Sequence, residues 1–302
     1  MNPESIAPSV WARDGRFPLD EVAALFDEHG LVVLRGLVPE ARRAPLRAAA
    51  AAGLDAARAR GAVMNRPDWP DVDFPLGDLL AMRELEPWDY LFFSDEVQRV
   101  VRRLLGVDSP VYWGDSQFHV GSGMRGFHKD NAGRIDGSHD DWRDARYGLL
   151  RCGLYMQDHD RLSGGLKVRL GSHRHPDHRS GRIVDVDSRF GDLVIWNLRL
   201  THSGNARRSR LRPSSPLHPR IEKVLPRWAV LPEPARRIAA FCTFGAPGTH
   251  LERYMDYLER CSDEYRPYFL HARHPDEAEP LLRRAGLTFR RPTSDYGARD
   301  PR

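Results

Sequence analysis

Beyond Pro110 the chain breaks into short strand-like runs, and this texture limits the fold more than any other feature. Val111 to Val120 alternates in character. Tyr147 to Met156, Leu166 to Leu170, Asp192 to Trp196 and Ile238 to Phe244 are apolar or β-branched runs, and Gly, Asp and Pro turns separate them. No helix alternates regularly with these runs, which excludes a doubly wound α/β sheet and leaves a double-sheet or barrel architecture. Ahead of them, Leu19 to His29 has helical periodicity, with Asp20 near its start and Gly30 at its end, and leads into a short strand, Leu31 to Leu34. Glu40 to Arg60 and Asp95 to Leu105 read as two more helices, the second closed by Gly106, and the Pro-rich stretch Asn65 to Gly77 reads as a loop. The predicted class is α+β with a β-sandwich core.

A chain of 302 residues fits one elaborated domain of this kind, spanning 1–302. Ala206 to Glu233 interrupts the strands with many prolines and six arginines (Arg207, Arg208, Arg210, Arg212, Arg220 and Arg227), so 206–233 reads as an insertion or lid, and 248–302 as a helical C-terminal extension. Charge adds little: 46 basic against 42 acidic residues leave +4, which predicts neither a nucleic-acid nor a membrane partner. Only Lys129, Lys167 and Lys223 are lysines, a skew that fits the codon bias of a GC-rich genome. Cys152, Cys242 and Cys261 are too scattered for a zinc ribbon or a disulfide scaffold and read as reduced packing residues. Met1 to Arg16 has no apolar leader core and no run of 18 apolar residues occurs, so a soluble cytoplasmic protein is expected.

The chemistry starts at Gly126-Phe127-His128-Lys129-Asp130. In extended chain, side chains two apart share a face, so His128 and Asp130 can converge on one metal ion. A third donor is found in His202, which ends a strand–turn–strand pattern running from Gly191. Two imidazoles and one carboxylate on one face of an octahedron leave the opposite face open, as non-haem Fe(II) oxygenases require; zinc would accept the same donors.

These pieces, taken in order, resemble the phytanoyl-CoA dioxygenase-like family of Fe(II)/2-oxoglutarate oxygenases. The similarity rests on Gly30 to Pro39 as the leading strand, His128-x-Asp130 as the metal strand, Ser163 to His173 as the "NGPL-x-x-x-PGSH" segment and Gly191-Asp192 to His202 as the "GD…H" strand, and covers roughly residues 20–245. It implies a double-stranded β-helix (jelly-roll) core with helices packed outside. It also implies Fe(II), 2-oxoglutarate and O2 as cofactor and co-substrates, and oxidation, most simply hydroxylation, of a C–H bond in a small molecule of specialised metabolism.

The family places an arginine at the start of the strand after the distal histidine, to pair with the far carboxylate of 2-oxoglutarate. By distance that would be Arg212, but Arg237 opens Ile238 to Phe244 and is the better candidate. Asp115, Gln117 and His119 share one strand face; Gln117, and Tyr155 on a neighbouring strand, could bond the co-substrate if they point inward. Phe127 and Trp196 could wall the pocket, Asp192 reads as a turn residue, and His173, His175 and His178 read as a solvated turn without a role. The arginines of 206–233 could meet an anionic substrate. The segments expected to shape specificity are 65–88, 133–146 and 248–268. A polyanion-binding module and a zinc-dependent non-redox enzyme on the same fold are the competing readings.

Overall fold

The computed structural model describes residues 7–66, 69–82, 91–123, 126–211, 215–260 and 278–290. The N-terminal part holds β1 (Ser9–Trp11), α1 (Leu19–His29), β2 (Leu31–Arg35), α2 (Glu40–Ala59), β3 (Val63–Arg66), β4 (Trp69–Pro75) and α3 (Asp95–Leu105). The strand-rich part holds β5 (Val111–Tyr112), β6 (Ser116–Gly121), β7 (Leu149–Tyr155), β8 (Gly165–Leu170), β9 (Arg182–Asp185), β10 (Leu193–Asn197) and β11 (His202–Ala206). Then come α4 (Pro219–Glu222), β12 (Ile238–Gly245), α5 (Thr249–Arg260), α6 (Ala278–Arg284) and β13 (Thr288–Phe289).

One sheet runs β1-β2-β10-β7-β12-β6-β4-β3, with β5 joining β12 and β13 joining β5; a smaller sheet runs β11-β8-β9. An antiparallel bridge between His128 and His202 adds the metal-strand segment to the small sheet's edge. The chain therefore weaves from one sheet to the other: β6 in the large sheet, His128 in the small, β7 back, β8 and β9 across, β10 back, β11 across, β12 back. This is a double-stranded β-helix. Leu31, Val33, Val194 and Trp196 of the large sheet meet Leu166, Val168, Leu170 and Val184 of the small one in a buried inner layer. On the large sheet's outer face Val32, Leu34, Cys152, Leu154, Ile195 and Ala240 pack against Val22, Phe26, Leu46, Ala50, Val97 and Val101 of the three N-terminal helices. No helix of the described residues is long and apolar enough to cross a membrane.

Local signals explain the helix ends. Gly30 and Gly106 close α1 and α3 in the left-handed conformation, and the Ser94 hydroxyl accepts from the Val97 amide at the start of α3. The run from Val111 to Val120 is not one strand: it breaks at Gly114, whose φ is 92°, into β5 and β6. The Pro-rich stretch is not only loop either. It contains β4, whose Pro70 and Pro75 lie toward its ends, outside Val72 and Asp73, the residues that pair with β6. The stretch after 248 is not helical throughout, since β13 pairs in parallel with β5. Cys152 and Cys242 are buried free thiols facing each other across β7 and β12; Cys261 lies outside the described residues.

Between β11 and β12, α4 is pinned to the small sheet's outer face. The fully buried Glu222 carboxylate stands 3.0 Å from the Lys167 ammonium, which also pairs with Asp185. His173 corrects the reading of its segment as solvated: it is buried beneath Gly30, while His175 is exposed.

Gly153, central in β7, lets the inner layer close. A Cβ there would stand 2.7 Å from the Trp196 ring and 3.2 Å from Phe241. Gly153→Ala should therefore overpack the layer and cost about 1–3 kcal/mol in urea unfolding; an unchanged midpoint would show that the two rings yield freely.

Candidate active site

Reciprocal main-chain hydrogen bonds, each 2.9 Å, join the His128 and His202 amides to each other's carbonyls. Residues opposed in this way project to the same side of a sheet, and the two rings lie with centroids 4.2 Å apart. Asp130 follows on the same face, its amide bonded to the Leu198 carbonyl at 2.9 Å. The Asp130 carboxylate oxygens lie 3.7 Å from His128 Nε2 and 3.4 Å from His202 Nε2. Two donors each about 2.1 Å from one ion are about 3 Å apart at a right angle, so this spacing is a little wide of a closed metal site.

The donor chemistry fits a divalent metal. His128 Nδ1 lies 3.0 Å from the Gly126 carbonyl and His202 Nδ1 3.0 Å from the Leu200 carbonyl. A carbonyl can only accept, so both Nδ1 atoms carry the proton and both Nε2 lone pairs face Asp130. Burial draws the His202 imidazole down to about 4, which keeps it neutral at neutral pH. Burial alone would raise the Asp130 carboxyl, but His202, Arg151, His128 and Arg134 together hold it at about 2.

Arg151, from the centre of β7, is the group that sequence reasoning missed. Its guanidinium donates to Asp130 Oδ2 at 2.9 Å, to Asp115 Oδ2 and the Tyr254 hydroxyl at 3.1 Å each, and through Nε to Thr243 Oγ1 at 2.9 Å. The only hint in the sequence is a charge inside an otherwise apolar strand, LLRCGLY. Asp115 thus serves the clamp on Asp130, although it shares a strand face with Gln117 and His119.

A cavity of about 330 Å³ opens over the triad. The register of the large sheet sets its wall: Arg151, Gly153 and Tyr155 of β7 lie beside Thr243, Phe241 and Ala239 of β12, and the latter two lie beside Gln117 and His119 of β6. Gln117, Tyr155 and Arg237 all line this cavity together with His128, Asp130 and His202. Arg237 sits directly before β12, with its Nε donating to the Gly164 carbonyl at 2.6 Å and its guanidinium 5.5 Å from the Tyr155 ring centre. Burial lifts the Tyr155 hydroxyl to about 12, so it stays a donor. Trp196 walls the cavity, whereas Phe127 lies outside it, between His218 and the Arg169 guanidinium. Arg212 falls outside the described residues. Asp192 is more than a turn residue: it accepts from the Gly36 amide at 2.9 Å and from Arg35 at 2.8 Å.

The three segments expected to shape specificity each reach the cavity, through Val72 and Phe74, through Arg134, and through Tyr254, Tyr257 and Leu258; parts of the first and last lie outside the described residues. None of the described arginines of 206–233 lines it. Arg207 bonds the Glu222 carbonyl at 3.3 Å and Arg208 the His159 carbonyl, so these two are engaged away from the cavity.

Similarity to known proteins agrees with this arrangement. The family model described as Phytanoyl-CoA dioxygenase (PhyH) matches residues 26–212. Among solved structures, the chain is similar to EctD from S. alaskensis, crystallised with 2-oxoglutarate and 5-hydroxyectoine, at 21% identity and TM-score 0.52 over 80% of each chain. HygX from Streptomyces hygroscopicus, with nickel and 2-oxoglutarate bound, matches at 15% identity and TM-score 0.51 over 75% of this chain and 87% of that one. The non-haem α-ketoglutarate-dependent epimerase SnoN from nogalamycin biosynthesis matches at 16% and 0.50 over 75% and 81%. No curated protein sequence matches the chain. At such identities the structures speak for the fold alone, but the family model spans well over half of the chain, including both histidines and the aspartate. The chain belongs to the phytanoyl-CoA dioxygenase (PhyH) family of non-haem iron and 2-oxoglutarate-dependent enzymes.

Proposed function

We propose that this protein oxidises, by hydroxylation, a C–H bond of a small molecule in specialised metabolism, using Fe(II), 2-oxoglutarate and O2. The observation that carries the reading is the pair of Nδ1-anchored imidazoles whose Nε2 atoms face one buried carboxylate, on the wall of a cavity that also holds Arg237. Iron held by His128, Asp130 and His202 would supply, with 2-oxoglutarate and O2, the oxidising power for hydrogen removal from carbon. The chain's own part is to bind, orient and keep dry. Arg237 presents a planar, permanently charged fork to the far carboxylate of the co-substrate. Gln117 and Tyr155 offer hydrogen bonds along its length, and Arg151 keeps Asp130 ionised and aimed. Trp196, Phe241 and Leu166 close the inner end against water. The part SnoN plays in nogalamycin biosynthesis supports the choice of specialised metabolism. We read the chain as one catalytic domain, elaborated at 206–233 and from 248 onward.

The co-substrate assignment makes a direct prediction. Losing one side of a buried charge pair costs about 2–5 kcal/mol, so Arg237→Gln should weaken 2-oxoglutarate binding about 30-fold or more. Anaerobic calorimetric titration of the Fe(II)-loaded protein measures this; wild-type affinity in the variant would remove Arg237 from the site. A wild-type protein that binds neither Fe(II) nor 2-oxoglutarate, or that purifies with zinc and resists exchange, would overturn the oxygenase reading.

A further inference from the structure

Extended chain alternates, so while His128 and Asp130 face the cavity, the residue between them, Lys129, points the other way, into the protein, where it is fully buried. A lysine is seldom wholly inside, because its charged end gives up water on entering. What it meets there is specific. Its Nζ donates to the Arg199 carbonyl at 2.6 Å and to the Ser172 carbonyl at 2.8 Å, and stands 5.2 Å from the centre of the Trp142 ring. Burial draws the Lys129 ammonium down to about 7, yet as ammonium or as amine it has a proton for each carbonyl.

Arg199 belongs to the turn between β10 and β11, and the carbonyls on either side of it serve the metal donors. Leu198 accepts the amides of Asp130 and Asn131 at 2.9 and 3.2 Å, and the Leu200 carbonyl holds His202 Nδ1 at 3.0 Å. Lys129 grips the middle carbonyl of the three. Its other anchor returns to the same turn, since the Ser172 hydroxyl accepts from the Thr201 amide at 2.8 Å. The turn is held from its far side as well, where the Arg199 guanidinium donates to the carbonyls of Asp141, Asp144 and Ala145. One side chain therefore ties the segment that carries two of the donors to the turn that aims the third. We infer that Lys129 is a positioning residue, which sets the spacing of the metal donors from behind by fixing the 198–201 turn against the 128–130 segment. The inference rests on the reading of His128, Asp130 and His202 as a metal site. Without the tether the Leu198 and Leu200 carbonyls are free to shift, and Asp130 and His202 lose their common aim.

The test uses the full chain stripped of metal. It is titrated with Co(II), whose visible spectrum reports the geometry of its donors, and anaerobically with Fe(II) in the presence of 2-oxoglutarate. Lys129→Met, which keeps the apolar stem and removes the donor, should weaken both ions about tenfold or more and alter the Co(II) spectrum. Lys129→Arg, which restores charged donors, should lose less than the methionine variant. If Lys129→Met does not fold, Lys129→Gln, neutral and shorter, must show the same loss. Val101→Ala, in the outer helical layer, lowers the urea midpoint through packing alone and should keep wild-type affinity and spectrum. Wild-type affinity with an unaltered Co(II) spectrum in Lys129→Met overturns the inference. So does an equal loss of affinity in Val101→Ala, or in Lys129→Arg. A wild-type protein that takes up neither ion shows instead that the metal reading has failed, and the inference falls with it.

Discussion

Replacing His128 by alanine should abolish substrate-dependent succinate formation, by about a thousandfold or more, and weaken Fe(II) binding by at least about a hundredfold, without unfolding the protein. The metal loses one of three protein donors, whereas the strand pairing that carries the residue is made by main-chain atoms, the reciprocal 2.9 Å bonds to His202, and survives truncation of the side chain. The urea midpoint of the metal-free variant should therefore stay close to that of the metal-free wild type. A His128→Ala protein that turns over normally ends the oxygenase assignment, and one that unfolds shows that the ring packs the fold together. Removing Arg151 should act differently. Arg151→Met would leave Asp115 and Asp130 as neighbouring buried carboxylates, so both stability and metal affinity should fall, the former by about 3–5 kcal/mol.

Mild acid should destabilise the metal-free protein steeply. His119, His159 and His173 are held neutral, each chiefly by burial and then by nearby arginines: the first two at about 3 and the third at about 4. Their unfolded counterparts titrate near pH 6.5, so the folded state is favoured fully above that pH and loses ground as the pH falls below it, down to the folded values. At pH 5.5 each imidazole that only the unfolded chain can protonate costs about 1.4 kcal/mol, or about 4 kcal/mol for the three together. The depressed carboxyls act in a lower window. Asp130 and Asp177, both near 2, yield their contribution only below about pH 4. Urea unfolding at pH 7.5, 6.5 and 5.5 checks this, and His119→Gln should lessen the loss at pH 5.5 by about 1.4 kcal/mol. A flat profile over that interval would mean that these rings take up protons within the fold.

Much of this molecule can be read from local signals, because local rules make them. The periodicity of α1 and α3 and the glycines that end them are one-dimensional patterns, and His128 and Asp130 share a face because any extended chain alternates. The placing of Arg237 at the head of a strand is legible for the same reason, since the apolar run that forms the strand begins immediately after it. What escapes is whatever depends on neighbours far apart in the chain. Arg151 meets Tyr254 across 103 positions and Asp115 across 36, and nothing near Arg134 shows that Tyr257 will lie against it. Nothing in the sequence around Lys167 or Glu222 shows that the fold buries them against each other. His173 likewise became an interior residue only through the close approach of Gly30.

Because hydrogen bonds of the polypeptide set the distance between the two imidazoles, the metal cage is nearly formed before any ion arrives, with only the Asp130 carboxylate left to draw in. Such a cage of two nitrogens and a carboxylate has little means of refusing ions of similar size, and the intrinsic ranking of divalent ions puts cobalt, nickel and copper above iron. Which metal the enzyme carries is then decided by supply rather than by fit. Preparations made in iron-poor medium should emerge correctly folded yet inert, and recover activity once the bystander ion is stripped and ferrous iron is restored.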